Sequence, residues 1–155
     1  MKTTTTMEPP IGSEVSVNIK NLITAFTLLA ASMALYGQTQ QSATYQQCAA
    51  KSDSQLNLDI CADEDSKQAN IELNRTYKQL LELTKSDAKA ILAIKTSERL
   101  WIQYRDSYIK AMYPKDDKQA AYGSFFPMEA HLIEASLTRE HISAINELIK
   151  QHSAP

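Results

Sequence analysis

The chain has 155 residues, of which 43% are hydrophobic and 22% are charged, and its formal net charge is −2. This length fits one domain with a modest core better than two domains. The near-neutral charge argues against nucleic-acid binding through a strongly basic surface, and the low glycine and proline content excludes collagen-like and low-complexity classes. The composition and charge are compatible with binding of small ligands or of protein partners.

The N-terminal region has the pattern of a secretory signal peptide. Lys20 precedes an apolar run at residues 22–35, and small and polar residues follow. The run is shorter than the about 20 residues that a transmembrane helix needs, although an uncleaved anchor is the alternative. We expect cleavage after Gly37, with Ala34 as the second choice, and export to the periplasm or the medium.

Residues 1–16 are unusual for a signal peptide, because they lengthen it and include Glu8 and Glu14. We hypothesise that translation starts at Val17. Sequencing the N-terminus of the unprocessed precursor would test this. The expected organisation is a signal peptide at residues 1–37, a lead segment at 38–53 and a helical domain at 54–151.

Cys48 and Cys61 both follow the expected cleavage site. An oxidising compartment favours a disulfide between them, and a loop of this size would stabilise the fold by about 3 kcal/mol. Two buried free thiols are the alternative. Because neither a CxxC motif nor a nearby histidine pair supplies further ligands, we expect no metal at these cysteines.

The segment after the expected cleavage site is predicted to be helical. Residues 38–155 contain no valine and a single glycine, which argues against an all-β fold. Three long stretches have apolar residues at helical spacing. We therefore predict an all-α fold, a small bundle of three main helices with one N-terminal disulfide.

The first helix is expected to begin after Ser54, as its N-cap, and to end near Lys85. An acidic run, Asp63-Glu64-Asp65, is expected to interact favourably with the helix dipole. The apolar face consists of Leu58, Ala62, Ala69, Leu73, Tyr77, Leu80 and Leu83.

The second helix is expected to open at Ser86 or Asp87 and to end near Met112, because Pro114 blocks continuation. Its predicted core stripe consists of Ile91, Ile94, Trp101, Tyr108 and Met112, with Glu98 and Arg105 at the same spacing.

Pro127 fits the first position of the third helix, which is expected to fray after Lys150. The apolar residues of this helix are Met128, Leu132, Ala135, Ile142, Ile145 and Ile149.

No motif for catalysis or for a cofactor is present in the sequence. His131, His141 and His152 lack metal-binding spacing, and neither a GxSxG elbow nor a Gly-rich phosphate loop occurs. We predict a protein that is not an enzyme, with no catalytic residue, metal or cofactor. An unrecognised hydrolase is the alternative.

Trp101 and Arg105 lie one helical turn apart, so the guanidinium can stack on the indole while it binds a carboxylate. Candidates for that carboxylate are Glu98, Asp59 and Asp65. We favour a core tryptophan beside an ion pair that links helices over a binding site.

Several short elements occur together in a fixed order. They are Cys48, Ser54, Cys61-Ala62, Leu73-Asn74 with Tyr77 and Leu80, Trp101-Ile102-Gln103-Tyr104-Arg105-Asp106, Gly123-Ser124 and Leu137-Thr138. In this order the chain resembles the LprI N-terminal-domain family of small exported bacterial helical domains, over residues 48–149. The family is named for a lysozyme inhibitor. The resemblance implies an envelope or extracellular location, and a structural motif formed by Leu73, Asn74, Tyr77, Trp101, Arg105 and Asp106.

The chain departs from the family pattern at a few positions. Relatives commonly have a second cysteine pair where this chain has Ile109 and Ile133, and we expect an apolar contact between these two isoleucines. Glu98 replaces a usual glutamine, and His141 replaces a usual arginine, although Arg139 is near.

Residues 113–126 form the candidate partner-binding loop. A lysozyme inhibitor must place a rigid projection in the sugar cleft, near carboxylates that accept hydrogen bonds or attract cations. Aromatic residues supply contact area, and lysine or serine could reach a carboxylate. Alternatively, Phe125 and Phe126 cap the open end of the bundle. The candidate contact residues are Lys115, Lys118, Tyr122, Gly123, Ser124, Phe125 and Phe126.

The resemblance and this loop together predict an exported, non-enzymatic envelope binding protein that inhibits lysozyme by inserting a loop in its cleft. A structural or assembly module of the envelope, without inhibitory activity, is the alternative. The expected partner is a protein, with no nucleic acid and no stable membrane span after cleavage.

Overall fold

The computed structural model describes residues 41–153, which contain helices and no strand. The helices are α1 (Ala43–Ala49), α2 (Gln55–Leu83), α3 (Ala88–Met112), α4 (Lys118–Tyr122) and α5 (Phe126–Ser153), with a 3-10 turn at Gly123–Phe125. The prediction of an all-α fold with three main helices is confirmed. The predicted signal peptide, its cleavage sites and Val17 lie outside the described residues. Within the described range, none of the helices combines the length and apolar character needed to cross a membrane.

The starts of the long helices follow from their capping residues. The Ser54 hydroxyl accepts a hydrogen bond from the Asn57 N–H at 3.3 Å, as predicted. Asp87, rather than Ser86, caps α3, because its carboxylate accepts from the N–H groups of Lys89 and Ala90. The third long helix, α5, begins at Phe126, one residue before Pro127. Pro127 still lies in the first turn, where backbone N–H groups have no acceptor within the helix, so the N–H that proline lacks costs no helical hydrogen bond.

The lead segment contains a short helix that the sequence did not predict. Ser42 caps α1 by accepting from the Tyr45 N–H at 3.0 Å. The predicted disulfide between Cys48 and Cys61 is present and joins α1 to α2. Tyr45 packs with Cys61 and Ala62 in a small core of its own, so α1 is part of the domain.

The main core lies between α2 and α5. Leu73 and Leu80 of α2 pack with Ile142 and Ile145 of α5. The fully buried Ala69 and Ala135 carry only methyl groups, which leaves room for close packing of helices. Residues 41–153 thus form two apolar cores, and the disulfide lies beside the smaller one.

Helix α3 covers this pair along a narrow strip. Ile94 and Trp101 pack against the main core, but no residue of α3 is fully buried. Tyr108 and Met112 are exposed, and so is Leu83 of α2, which corrects their assignment to the core. Because α2 and α5 bury each other's apolar faces, the core needs only one side of α3.

Candidate partner-binding loop

The segment between α3 and α5 is more ordered than the sequence suggested. Asp117 caps α4, its carboxylate accepting from the Ala120 N–H at 2.9 Å. Gly123 ends α4 with a φ of +74°, a left-handed conformation that glycine adopts without strain. A Cβ at this position would meet no atom within 4 Å, so the requirement for glycine is conformational.

An aromatic cluster holds the loop against α5. Tyr113 is buried, and its ring packs edge-on against Tyr122 at 5.2 Å and Phe126 at 4.9 Å between centroids. The Tyr113 hydroxyl donates to Glu129 at 3.0 Å. Burial, together with this bond to Glu129, raises the pKa of Tyr113 to about 12. The cluster therefore ties the loop to the first turn of α5, and the sequence had not identified Tyr113 or Glu129 in this role.

The Lys118 side chain makes its contacts within the loop. Its ammonium donates to the carbonyl oxygens of Tyr113 at 2.7 Å and Lys115 at 2.9 Å, and it lies 5.7 Å from the ring centroid of Phe126. The Tyr122 hydroxyl accepts from the Lys115 N–H at 3.2 Å. These contacts stabilise the loop and engage the Lys118 ammonium, which was one of the candidates for reaching a partner's carboxylate.

The seven candidate residues therefore separate into two groups. Lys118, Tyr122 and Phe126 are half-buried and form the support. Phe125, in the 3-10 turn Gly123–Phe125 that we call the loop tip, is 56% exposed. The alternative in which both phenylalanines cap the bundle fits Phe126 only. The exposed candidates are Lys115, Gly123, Ser124 and Phe125.

The predicted stacking of Arg105 on Trp101 is present, with the guanidinium carbon 5.2 Å from the ring centroid. Arg105 donates to Asn70 of α2 at 3.0 Å, and it lies 3.5 Å from Glu134 of α5 and 3.0 Å from Asp106. Arg105 therefore links all three long helices through these residues.

None of the three carboxylates proposed for Arg105 is its partner, which is a correction. Glu98 pairs with His141 at 2.8 Å, and Asp59 accepts from Gln55 at 2.7 Å. Asp65 pairs with Arg139 of α5. Which carboxylate pairs with Arg105 depends on how the helices are aligned with one another. The sequence of a single helix does not specify that alignment.

Asp65 is only 1% exposed, and it forms a two-point ion pair with Arg139 of α5 at 2.6 and 3.1 Å. It also accepts from the Ser42 hydroxyl at the start of α1. Asp65 therefore links three helices. The acidic run lies beyond the first turn of α2, where the helix dipole acts, so the predicted dipole interaction is wrong. The pair borders a cavity of about 400 Å³, lined partly by Met112, Met128, Leu132, Ile133 and Ser136.

The remaining residues of the family motif have structural surroundings. Leu73 is in the main core, Tyr77 packs against it, and the Asn74 amide donates to the backbone carbonyl of Asn70 at 2.9 Å. Among residues 41–153, no three histidine, cysteine, aspartate or glutamate side chains gather as they would around a metal ion.

Together, these observations define a disulfide-linked, all-α domain that presents one ordered, partly apolar loop tip. The chain matches the family described as lysozyme inhibitor LprI over residues 46–145. It is also 34% identical, over 111 residues, to an uncharacterized protein of Rhizobium meliloti strain 1021, covering 64% of this chain and 77% of that protein. No solved structure matches it. The chain belongs to the LprI lysozyme inhibitor family.

Proposed function

We propose that the protein is an exported lysozyme inhibitor that binds the enzyme through the tip of its loop, residues 123–125. The observation that carries this proposal is the exposed Phe125 on a turn that the cluster of Tyr113, Tyr122 and Phe126 supports. The description of the family to which the chain belongs supports the choice of partner.

The physical basis is preorganisation. A loop that is already held by aromatic packing and by Lys118 loses little conformational entropy when it binds, so more of the contact energy appears as affinity. Phe125 supplies apolar area for a sugar-binding cleft. The Ser124 hydroxyl can donate to a catalytic carboxylate, and the Lys115 ammonium can pair with one. The protein acts by binding and performs no chemistry of its own.

The first experiment is a titration of lysozyme activity on cell-wall substrate with a purified domain of residues 38–155. Several lysozyme types should be used, because the family description does not specify one. We expect saturable inhibition of at least one type. Absence of inhibition at micromolar excess across all of them would contradict the proposal.

Variants then test the loop. Ser124→Ala with Phe125→Ala should weaken inhibition at least about tenfold, because both side chains are exposed and neither takes part in the hydrogen bonds and ring contacts that hold the loop. The melting temperature should not change. The matched control is Ile71→Ala on α2, where the replaced side chain is 62% exposed, and it should inhibit normally.

If the double variant inhibits as well as the parent domain, the loop assignment is wrong even though the inhibitor proposal stands. Tyr122 is left unchanged in this test, because its packing with Tyr113 supports the loop and its loss would confuse binding with folding.

Export is tested separately. We expect the protein in the periplasmic or culture fraction of the producing cells, with an N-terminus at residue 38. An intact precursor found only with the cytoplasm would contradict export.

A further inference from the structure

The cavity of about 400 Å³ beside the buried ion pair lies between α5, the end of α3, the start of α1 and Asp65 of α2. We call it the α5 cavity, because one face of that helix supplies most of its lining. Its volume is within the range of about 300–1,000 Å³ that is usual for small-molecule sites. None of residues 123–125 lines it, so it is separate from the loop tip. The α5 residues that line it are Met128, Glu129, Leu132, Ile133, Ser136 and Arg139.

The middle of the α5 cavity is apolar. Leu132 and Ile133 of α5 line it together with two methionines, Met112 of α3 and Met128 of α5. Methionine side chains are unbranched and flexible, so they adapt to the shape of the group that they contact. Burying a hydrocarbon or aromatic group against such a wall removes apolar surface from water and is favourable. The wall therefore suits an apolar body rather than a sugar or a phosphate.

The charged groups of the α5 cavity do not balance. The lining contains two carboxylates, Asp65 and Glu129, and one cation, Arg139, which leaves one negative charge. Both carboxylate oxygens of Asp65 accept from Arg139, at 2.6 and 3.1 Å, so these two charges neutralise each other. Glu129 accepts from the Tyr113 hydroxyl and forms no ion pair with a described residue. The unpaired charge is therefore that of Glu129.

We propose that the α5 cavity binds a small amphipathic amine, whose ammonium pairs with Glu129 and whose apolar body lies along Leu132 and Ile133. Glu129 is exposed, so the ammonium stays partly hydrated while it pairs. Glu129 and Arg139 are about 15 Å apart along the helix axis, which gives an extended aliphatic or arylalkyl body room between them. The proposal does not depend on lysozyme inhibition.

An amine fits the α5 cavity better than an acid or a neutral molecule. A carboxylate ligand would be repelled by Glu129, and it would have to compete with Asp65 for Arg139. Asp65 is only 1% exposed, and breaking a buried ion pair is costly. A neutral ligand leaves the Glu129 charge without a partner. An ammonium forms a charge-assisted hydrogen bond with that carboxylate, which is stronger than a bond between neutral groups.

The test is a titration of the full chain, isotopically labelled at its methionine methyl groups, followed by NMR. Two of its five methionines, Met112 and Met128, line the cavity, and Met112→Leu and Met128→Leu assign their signals. The other three report binding elsewhere. The ligands are phenylbutylamine, phenylbutanol and phenylbutyrate, which share an apolar body and differ in the head group. We expect saturable shifts of both cavity signals with the amine, at least about tenfold weaker affinity for the alcohol, and no saturation with the acid.

Glu129→Gln tests the head-group site. Glutamine removes the charge and keeps an oxygen that accepts from the Tyr113 hydroxyl, so the support of the loop is preserved. The affinity for phenylbutylamine should fall at least about tenfold, to that for phenylbutanol. The matched control is Glu140→Gln, because Glu140 is an exposed carboxylate of α5 that does not line the cavity. Its affinity for the amine should equal that of the parent chain.

Ile133→Trp tests the apolar wall, because the larger side chain fills the cavity. Binding of phenylbutylamine and phenylbutanol should be lost, whereas Ile71→Trp, at a 62% exposed position of α2, should bind normally. A cooperative melting transition shows that each variant is folded. If Ile133→Trp does not fold, the three ligands and the two glutamine variants still decide the outcome.

Three results would overturn the proposal. The first is the absence of saturable shifts at Met112 and Met128 with the amine. The second is equal affinity for the three ligands, or equal losses in Glu129→Gln and Glu140→Gln, since the Glu129 carboxylate would then not select the ammonium. The third is tighter binding of phenylbutyrate, which would assign the head group to Arg139.

Discussion

The His141 imidazole lies flat on the Trp101 indole, with ring centroids 4.0 Å apart and ring planes 4° from parallel. Its Nε2 atom lies 2.8 Å from a carboxylate oxygen of Glu98 on the same helix as the tryptophan. Glu98 and His141 are the two positions at which the resemblance implied a glutamine and an arginine. In the structure these two residues contact each other, so both expected departures from the family pattern fall within one contact between α3 and α5.

We predict that Glu98 and His141 are energetically coupled. Glu98→Ala and His141→Ala should each destabilise the domain by about 1–3 kcal/mol, because each leaves a half-buried polar partner unpaired. The double variant should lose about 1 kcal/mol less than the sum of the single losses. Urea unfolding of the four proteins measures the coupling, and additive losses would contradict the contact.

Asp65 is predicted to be the most sensitive carboxylate of the domain. Asp65→Ala leaves Arg139 and Ser42 without their shared buried partner, and the expected loss is about 3–5 kcal/mol in the free energy of unfolding. Asp63→Asn is the matched control, because Asp63 forms only a surface pair with Lys67, and it should leave the unfolding midpoint unchanged. Similar midpoints for both variants would show that the buried pair does not stabilise the fold.

Tyr113 should make the domain sensitive to alkaline pH. Its pKa is raised to about 12 by burial and by the bond to Glu129, whereas an unfolded tyrosine titrates near 10. Its contribution is therefore fully present below about pH 10 and is lost as the pH rises to about 12, by up to about 3 kcal/mol.

Tyr113→Phe should show a smaller loss of stability over this range. Urea unfolding at about pH 8 and about pH 11 compares the two proteins, and the other tyrosines serve as a common background. A decline of the same size in the variant would mean that Tyr113 is not the group responsible.

Thr138, in the Leu137-Thr138 element of the family pattern, is fully buried, and its hydroxyl oxygen has no hydrogen-bond partner among the described residues. Valine has nearly the same shape and no group to leave unpaired. Thr138→Val should therefore raise the free energy of unfolding by about 0.5–1 kcal/mol. Thermal unfolding measures the change. Thr76→Val is the control, because the Thr76 hydroxyl donates to the Glu72 carbonyl and its removal should not raise the free energy of unfolding. A destabilised Thr138→Val variant would indicate that the hydroxyl has a bound partner such as water.

Local signals predicted much of this fold. Ser54 and Pro114 mark a helix start and a helix end through chemistry that acts within a few residues. The disulfide follows from two cysteines in a chain whose N-terminal sequence predicts export. Asp65 could also have been placed correctly, because it lies three residues after Ala62 and four before Ala69, on the buried face of α2. Its position in an acidic run concealed that spacing.

Other features depend on contacts between distant segments. Helix α1 is too short to be stable alone, so it forms because Cys61 and Asp65 hold it. The Lys118 ammonium bonds within the loop because the turn of the chain brings the carbonyl groups of Tyr113 and Lys115 close to it. The sequence therefore identified the loop, but it could not separate the residues that support it from those at its tip.

The stacked pair of Trp101 and His141 has a practical consequence, because Trp101 is the single tryptophan of the chain. Any event that separates α3 from α5 changes the surroundings of the one indole, and its fluorescence emission reports that event without an added label. The protein thus carries an intrinsic optical probe at the contact between two of its long helices. This probe can time opening and closing of the bundle in stopped-flow mixing, in the same samples that are used to measure binding.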